Sequence, residues 1–203
     1  MTITDITNDI ISELVGCPQP AIERALLQTA QEVCRKASLY VDEINDFTTV
    51  SGTGSYSLTV PTGTLIHRVY DVYTTTDDTT THLQPSHVRT QDKEGYPKYF
   101  WTDGLKVFIY PIPNVAKTFN VSAVLIPQSL SDLPDNLVAR ESDLLREGAL
   151  SRLRRQINEE WGQANLSAAH FAEYQKLLGD ARKRTLQGQV GARLTTQYRR
   201  LGY

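Results

Sequence analysis

The chain has 203 residues, 40 % of them hydrophobic, and a formal net charge of −2. That length buries a sizeable core without disulfides or a structural metal, and the charge excludes a strongly basic nucleic-acid binder. The balance is uneven: residues 1–40 sum to −2, 41–130 to −3, 131–186 to zero and 187–203 to +3.

Ile6, Ile10, Ile11 and Leu14 recur at helical spacing and predict a short first helix that Gly16 and Pro18 end. A second helix starts near Pro20, a favoured first-turn position, with Ile22, Ala25, Leu26, Thr29, Ala30, Val33 and Ala37 as its buried stripe. From about 41 to 130 the composition turns to Thr, Val, Tyr, Gly and Pro. Segments such as "YSLTV", "LIHRVYDVY", "KYFW", "LKVFIY" and "FNVSAVLI" are separated by turn signals, the pattern of a small antiparallel sheet structure. "TTTDDTTTH" reads as an extended hairpin tip turning at Asp77-Asp78.

Within this region "YPKYFWTDGLKVFIYPIP" reads as a hairpin around Asp103-Gly104. A two-residue loop puts Trp101 opposite Lys106, Phe100 opposite Val107 and Tyr99 opposite Phe108. One face then carries Phe100, Leu105, Val107 and Ile109; the other carries Tyr99, Trp101, Phe108 and Tyr110, with Lys106 among them. Both faces are apolar, so the second needs a cover: the rest of the β region, a neighbouring subunit, or a sugar stacked on the rings.

Helical pattern returns after "SDLPDNL", where Pro134 starts a third helix with Asp135 near its positive end. Leu137, Leu144, Leu145, Ala149, Leu153 and Ile157 line one side, and Gly148-Ala149 permits close approach of a neighbour. A break near Trp161-Gly162 leads to a fourth helix with Ala164, Ala168, Phe171, Ala172, Leu178 and Ala181 as its apolar stripe. Residues 187–203, "GQVGARLTTQYRRLGY" with the preceding Gln187, hold no acid and read as an extended tail. The fold class is therefore α+β: a four-helix bundle (1–40 and 131–186) with an antiparallel β-sheet or sandwich domain (41–130) inserted between helices two and three, plus the C-terminal tail.

Catalytic signals are poor. His67, His82, His87 and His170 form no metal-ligand spacing, alone or with Cys17 and Cys34. "SGTGSYS" lacks a phosphate-loop lysine and reads as a turn before a strand, and no GxSxG elbow exists. Asp42, Glu43 and Asp46 cluster after the second helix as a solvated acidic turn, and Glu159-Glu160 are adjacent residues near a helix end. "RLRRQ" (152–156) and "RKR" (182–184) read as solvated helix faces with i,i+4 pairs. The cysteines read as idle reduced thiols. No signal peptide and no run near the ~18 apolar residues of a membrane span are visible, so the expectation is a protein made in a cytosol, with no cofactor and no membrane partner.

The order of segments resembles the head-to-tail adaptor proteins of tailed bacteriophages, the tail tubular protein A family. The likeness runs over about 20–186: "ALLQTAQEVCRKASLYVDEI", "GSYSLTVPTGTLIHRVYDV", "GYPKYFWTDGLKVFIYPIPN", "VSAVLIPQSLSDLPDNL", "LLREGALSRL", Trp161 and "AAHFAEYQKLL". The resemblance implies a structural, non-enzymatic protein of the virion's head–tail junction. It implies a dodecameric ring between the portal protein and a downstream tail protein, passing double-stranded DNA without sequence-specific binding. The family's C-terminal segment docks on the portal; here that is residues 187–203, where the chemistry selects Arg193, Tyr198, Arg199, Arg200 and Tyr203 as contacts. A near-neutral body suits a conduit, because phosphate binding grows with each cationic contact. Tyr99, Trp101, Phe108 and Tyr110 are the expected subunit or tail-protein interface. Two other readings stay open: a carbohydrate-binding module using those same four aromatics, and a cell-wall hydrolase using the acidic residues.

Overall fold

A computed structural model of the chain describes residues 1–76, 78–86, 93–156 and 158–187. In chain order it has α1 (Ile3–Glu13), α2 (Gln19–Ala37), β1 (Val41–Thr48), β2 (Ser55–Ser57), β3 (Thr64–Thr76), β4 (Thr79–His82) and β5 (Gln84–Pro85). There follow β6 (Glu94–Gly95), β7 (Tyr99–Thr102), β8 (Lys106–Tyr110), β9 (Ile112–Pro113), β10 (Thr118–Pro127), a 3-10 turn (Leu130–Asp132), α3 (Asp135–Arg140), α4 (Ser142–Leu153) and α5 (Ala164–Leu186). The architecture is mixed α+β, and every described strand falls between α2 and α3.

α1 opens with a capping box: the Thr2 hydroxyl accepts from the Asp5 N–H, and the Asp5 carboxylate accepts from the Thr2 N–H at 2.7 Å. Those bonds hold the Asp5 carboxyl below its usual range. α2 carries Pro20 in its first turn and ends at Ser38, whose φ of 53° is left-handed. All seven residues of its expected stripe are buried, together with Cys34. α1, α2, α4 and α5 share one hydrophobic core that includes Ile6, Leu26, Leu145, Leu150 and Leu178.

The third helix departs from expectation. It is two helices, because the backbone leaves helical geometry at Glu141 (φ −111°, ψ 24°), whose carboxylate turns inward to Arg140 and Arg184. Gly148 in α4 does mark a close approach: a Cβ there would lie 2.3 Å from Thr29 of α2 and 2.9 Å from the Tyr174 ring of α5. α5 buries Leu178 and Ala181 as expected but is rotated from the expected stripe over its first half. Ser167, Tyr174, Leu178 and Ala181 are buried, whereas Ala164, Ala168, Phe171 and Ala172 face outward. Hydrogen bonding decides the rotation: the Ser167 hydroxyl donates to the Ser151 carbonyl at 2.8 Å and His170 meets Glu147 at 2.7 Å, while alanines offer little area to bury.

The strands form two four-stranded sheets, ordered β1-β10-β3-β4 and β2-β8-β7-β5, and a short β6-β9 pair. Pairing is antiparallel except for β5 on β7 and β6 on β9. Phe47, Val72, Phe119 and Val121 from the first sheet meet Phe100, Val107 and Ile109 from the second in a common core. The β3–β4 hairpin turns where expected, with Asp78 at a left-handed φ of 59°. The acidic turn expected at Asp42, Glu43 and Asp46 is instead the edge strand β1. β10 joins the two regions: α2 packs against it, and its Val124, Leu125 and Ile126 are buried. There the Leu125 N–H donates to the Tyr40 carbonyl at 2.8 Å, and Gln31 donates to the Pro127 carbonyl at 3.0 Å.

Candidate functional site

The β7–β8 hairpin pairs two residues out of the expected register: Tyr99 faces Tyr110, Phe100 faces Ile109, Trp101 faces Phe108 and Thr102 faces Val107. The turn is wider because the Asp103 carboxylate accepts from the Leu105 and Lys106 N–H groups at 2.9 and 2.7 Å. Those bonds also hold the Asp103 carboxyl below its usual range. A two-residue slip preserves the side-chain alternation, so the division into faces stands. Phe100, Val107 and Ile109 are buried, but Leu105 lies in the wider turn and is 70 % exposed.

The second face gathers all four expected aromatics. Trp101 and Phe108 stack with centroids 3.8 Å apart and planes 2° from parallel, so each spends a face on the other. Tyr99 is 38 % exposed, and Trp101, Phe108 and Tyr110 are half-buried. Trp101 also borders an open hollow of about 400 Å³ with Arg68, Tyr70 and Pro85. The face is partly covered within the chain and partly open.

The expected portal contacts Arg193, Tyr198, Arg199, Arg200 and Tyr203 lie outside the described residues, as do His87 and Ile157. Of the other histidines, His82 pairs with Asp71 at the surface, and burial pushes His67 below its ordinary range, aided by the Arg68 charge. Among the described residues no cluster of histidine, cysteine and carboxylate side chains is placed to hold a metal ion. Cys17 and Cys34 are free and buried, and burial pushes the Cys34 thiol up to about 12, which matches the reading of idle thiols.

The basic runs are only partly the expected solvated faces: Arg155, Arg182 and Lys183 are exposed and Lys183 pairs with Asp180 along α5, but other members reach further. Arg152 reaches Glu32 on α2, Arg154 reaches Glu13 on α1 at 2.9 Å, and Arg184 reaches Glu141 at 2.7 Å. These are ties between elements, not i,i+4 pairs along one helix. Glu13 also draws in Arg146, and His170 lies between Glu147 at 2.7 Å and Glu13 at 3.4 Å. Arg24 and Arg155, by contrast, are exposed and form no ion pair among the described residues. They border a groove of about 830 Å³ between α2, the end of α4 and α5. Only the outward turn of Phe171 and its neighbouring alanines creates that groove, and the periodicity of α5 alone does not show which way they turn.

No helix among the described residues is long and apolar enough to cross a membrane. In comparisons with known proteins, the model of the SU10 adaptor protein family matches residues 1–199. No curated protein matches the chain.

Proposed function

The chain belongs to the SU10 adaptor protein family, a family of bacteriophage structural proteins, and we propose that it is the ring-forming connector of a tailed phage's head–tail junction, similar to tail tubular protein A. Copies of the chain, twelve in the expected ring, sit between the portal protein and a downstream tail protein and continue the channel through which double-stranded DNA leaves. The helices form the body of each subunit, the strands an inserted unit, and residues 187–203 reach the portal through Arg193, Tyr198, Arg199, Arg200 and Tyr203. Tyr99, Trp101, Phe108 and Tyr110 meet the next subunit or the tail protein.

The family match over nearly the whole chain carries this reading. The body's charge supports it: a net charge of −2 gives DNA little to hold during passage. The half-open aromatic face supports an interface, since a partly buried aromatic cluster is the usual anchor of one.

The test is the mass in solution, by light scattering after size exclusion, of the full chain alone and mixed with the portal protein from the same genome. Many copies eluting with each portal are the expected result. A chain that stays monomeric and ignores the portal overturns the proposal. Deleting 187–203 should abolish the co-elution while leaving the circular dichroism spectrum of the body unchanged.

A further inference from the structure

The two four-stranded sheets end in four edge strands, β1, β4, β2 and β5, and three of these are closed to a further strand. β1 carries Asp42, Glu43 and Asp46 and a break in its ladder between Glu43 and Asn45. β2 is three residues long, and β5 is two residues long and ends in a proline. Charge, bulges, proline and short length are the usual ways of blunting an edge. β4 is different. Its four residues, Thr79-Thr80-Thr81-His82, are all exposed and pair in unbroken register with Thr76, Thr75, Thr74 and Tyr73 of β3. Three of the four are β-branched, which suits an extended backbone.

The Leu83 N–H donates to the Val72 carbonyl at 2.8 Å, so the ladder is hydrogen-bonded at that pair. Main-chain groups alternate in direction along an antiparallel strand. Those of Thr81 therefore also turn toward β3, whereas the N–H and C=O groups of Thr80 and His82 turn away from it. No strand among the described residues meets them. Beside this flank the outward face of the sheet is acidic. Paired residues share a face, so Glu43, Ser122 and Asp71 stand in one row and Asp46, Asn120, Tyr73 and His82 in the next. The one lysine or arginine on the four strands, Arg68, donates to the Ser38 hydroxyl at 2.8 Å.

We propose that β4 receives an extended, lysine- or arginine-bearing segment of the downstream tail protein, which adds to the sheet as a fifth strand. Thr80 and His82 supply the main-chain bonds, and the three carboxylates supply the preference for a basic segment. A second copy is the poorer occupant: β4 against β4 would set two acidic faces side by side and give a two-fold pair, not a ring. The inference rests on the connector reading above, in which residues 187–203 meet the portal, and it names the contact for the tail protein.

The test is binding of the tail protein from the same genome to the full chain assembled on its portal protein, read by co-elution and light scattering. Thr80→Pro removes the outward N–H and leaves the main-chain bonds to β3 in place. It should weaken tail-protein binding about tenfold, with portal co-elution and the circular dichroism spectrum as in the wild type. Thr80→Ala loses the same hydroxyl contact with Thr75 but keeps the N–H, so it should bind like the wild type. In the unaltered chain, the Thr80 and His82 amides should exchange slowly with solvent only once the tail protein is bound, a readout independent of how the proline variant folds. Binding that Thr80→Pro spares, that Thr80→Ala weakens equally, or that added salt leaves unchanged overturns the strand addition while leaving the ring standing. So do amides that stay fast in the complex. A proline variant that loses the portal and keeps the tail protein would assign β4 to the portal protein and also overturn it. A wild-type chain that never assembles on the portal overturns the ring and the contact together.

Discussion

The helices and the strands bury their interiors by different means. Between helices, charge goes inside: the Glu141 side chain is 3 % exposed and accepts from Arg184 at 2.7 Å, and Arg154, 8 % exposed, reaches Glu13 at 2.9 Å. Between strands, rings and hydroxyls suffice. Phe47 stacks on Tyr56 at 4.4 Å and on Phe119 at 5.8 Å, Tyr56 donates to the Thr53 carbonyl at 2.6 Å, and Thr48 meets Thr118 at 3.0 Å. The reason lies in what fixes register. A sheet's backbone ladder sets the pairing before any side chain contributes. Packed helices have no such ladder, so rotation and sliding are resisted by interdigitated side chains and by ion pairs that fit in one arrangement only.

The comparison is sharpest where the two regions meet, and a core truncation probes it most strongly. Phe100→Ala should cost about 3–5 kcal/mol, since Phe100 is 5 % exposed in the β core. The two tryptophans divide the readout: Trp101 lies in the hairpin and Trp161 packs against the helical core. Followed in Trp101→Phe and Trp161→Phe backgrounds, denaturant transitions of both regions should shift together, because β10 is shared between them. If only the Trp101 signal moves, the regions unfold independently.

Gly148→Ala is the next largest effect. The added methyl would meet Thr29 and the Tyr174 ring at once, so calorimetry should show a loss of about 1–3 kcal/mol despite alanine's better helix propensity. Gly95 in β6 should tolerate the same addition, since its nearest contact would be the Pro111 side chain at 3.5 Å. The smallest effect is electrostatic. Burial opposes ionisation of Glu32, but Lys36 and Arg152 outweigh it and hold its carboxyl below the ordinary 4.5. A lowered folded value means that the stabilisation is complete above pH 4.5 and is lost as pH falls through the folded value. Wild type should therefore lose more stability than Glu32→Gln as pH is lowered from 7 into the acid range, as followed by thermal denaturation at each pH.

Much of this was legible in the residues. The α2 stripe, the Asp78 turn, the Gly148 approach and the two hairpin faces all follow from periods of 3.6 and 2 or from glycine's size. The errors share a cause, which is a long-range partner that spacing does not reveal. Glu141 breaks a helix because Arg184, 43 residues away, draws it inward. α5 turns its alanines outward because Ser167 finds the Ser151 carbonyl and His170 finds Glu147. The hairpin slipped by two residues because a single carboxylate, Asp103, captured two backbone N–H groups and widened the loop. The four aromatics of the second hairpin face were grouped correctly by their alternation along the strands. The groove was missed because it is made by the direction α5 faces.

The edge strand β1 has a consequence for the protein as a population of molecules. One flank pairs with β10 and the other meets no strand among the described residues. Along it Asp42, Glu43 and Asp46 are exposed, and the ladder shifts between Glu43 and Asn45. Like charges and an interrupted ladder keep an open strand from templating another copy of itself. The residues that the sequence offered as a solvated acidic turn thus supply the charges by which edge strands resist pairing. A chain that accumulates in many copies can then meet its neighbours through chosen side chains, without its backbones zipping together.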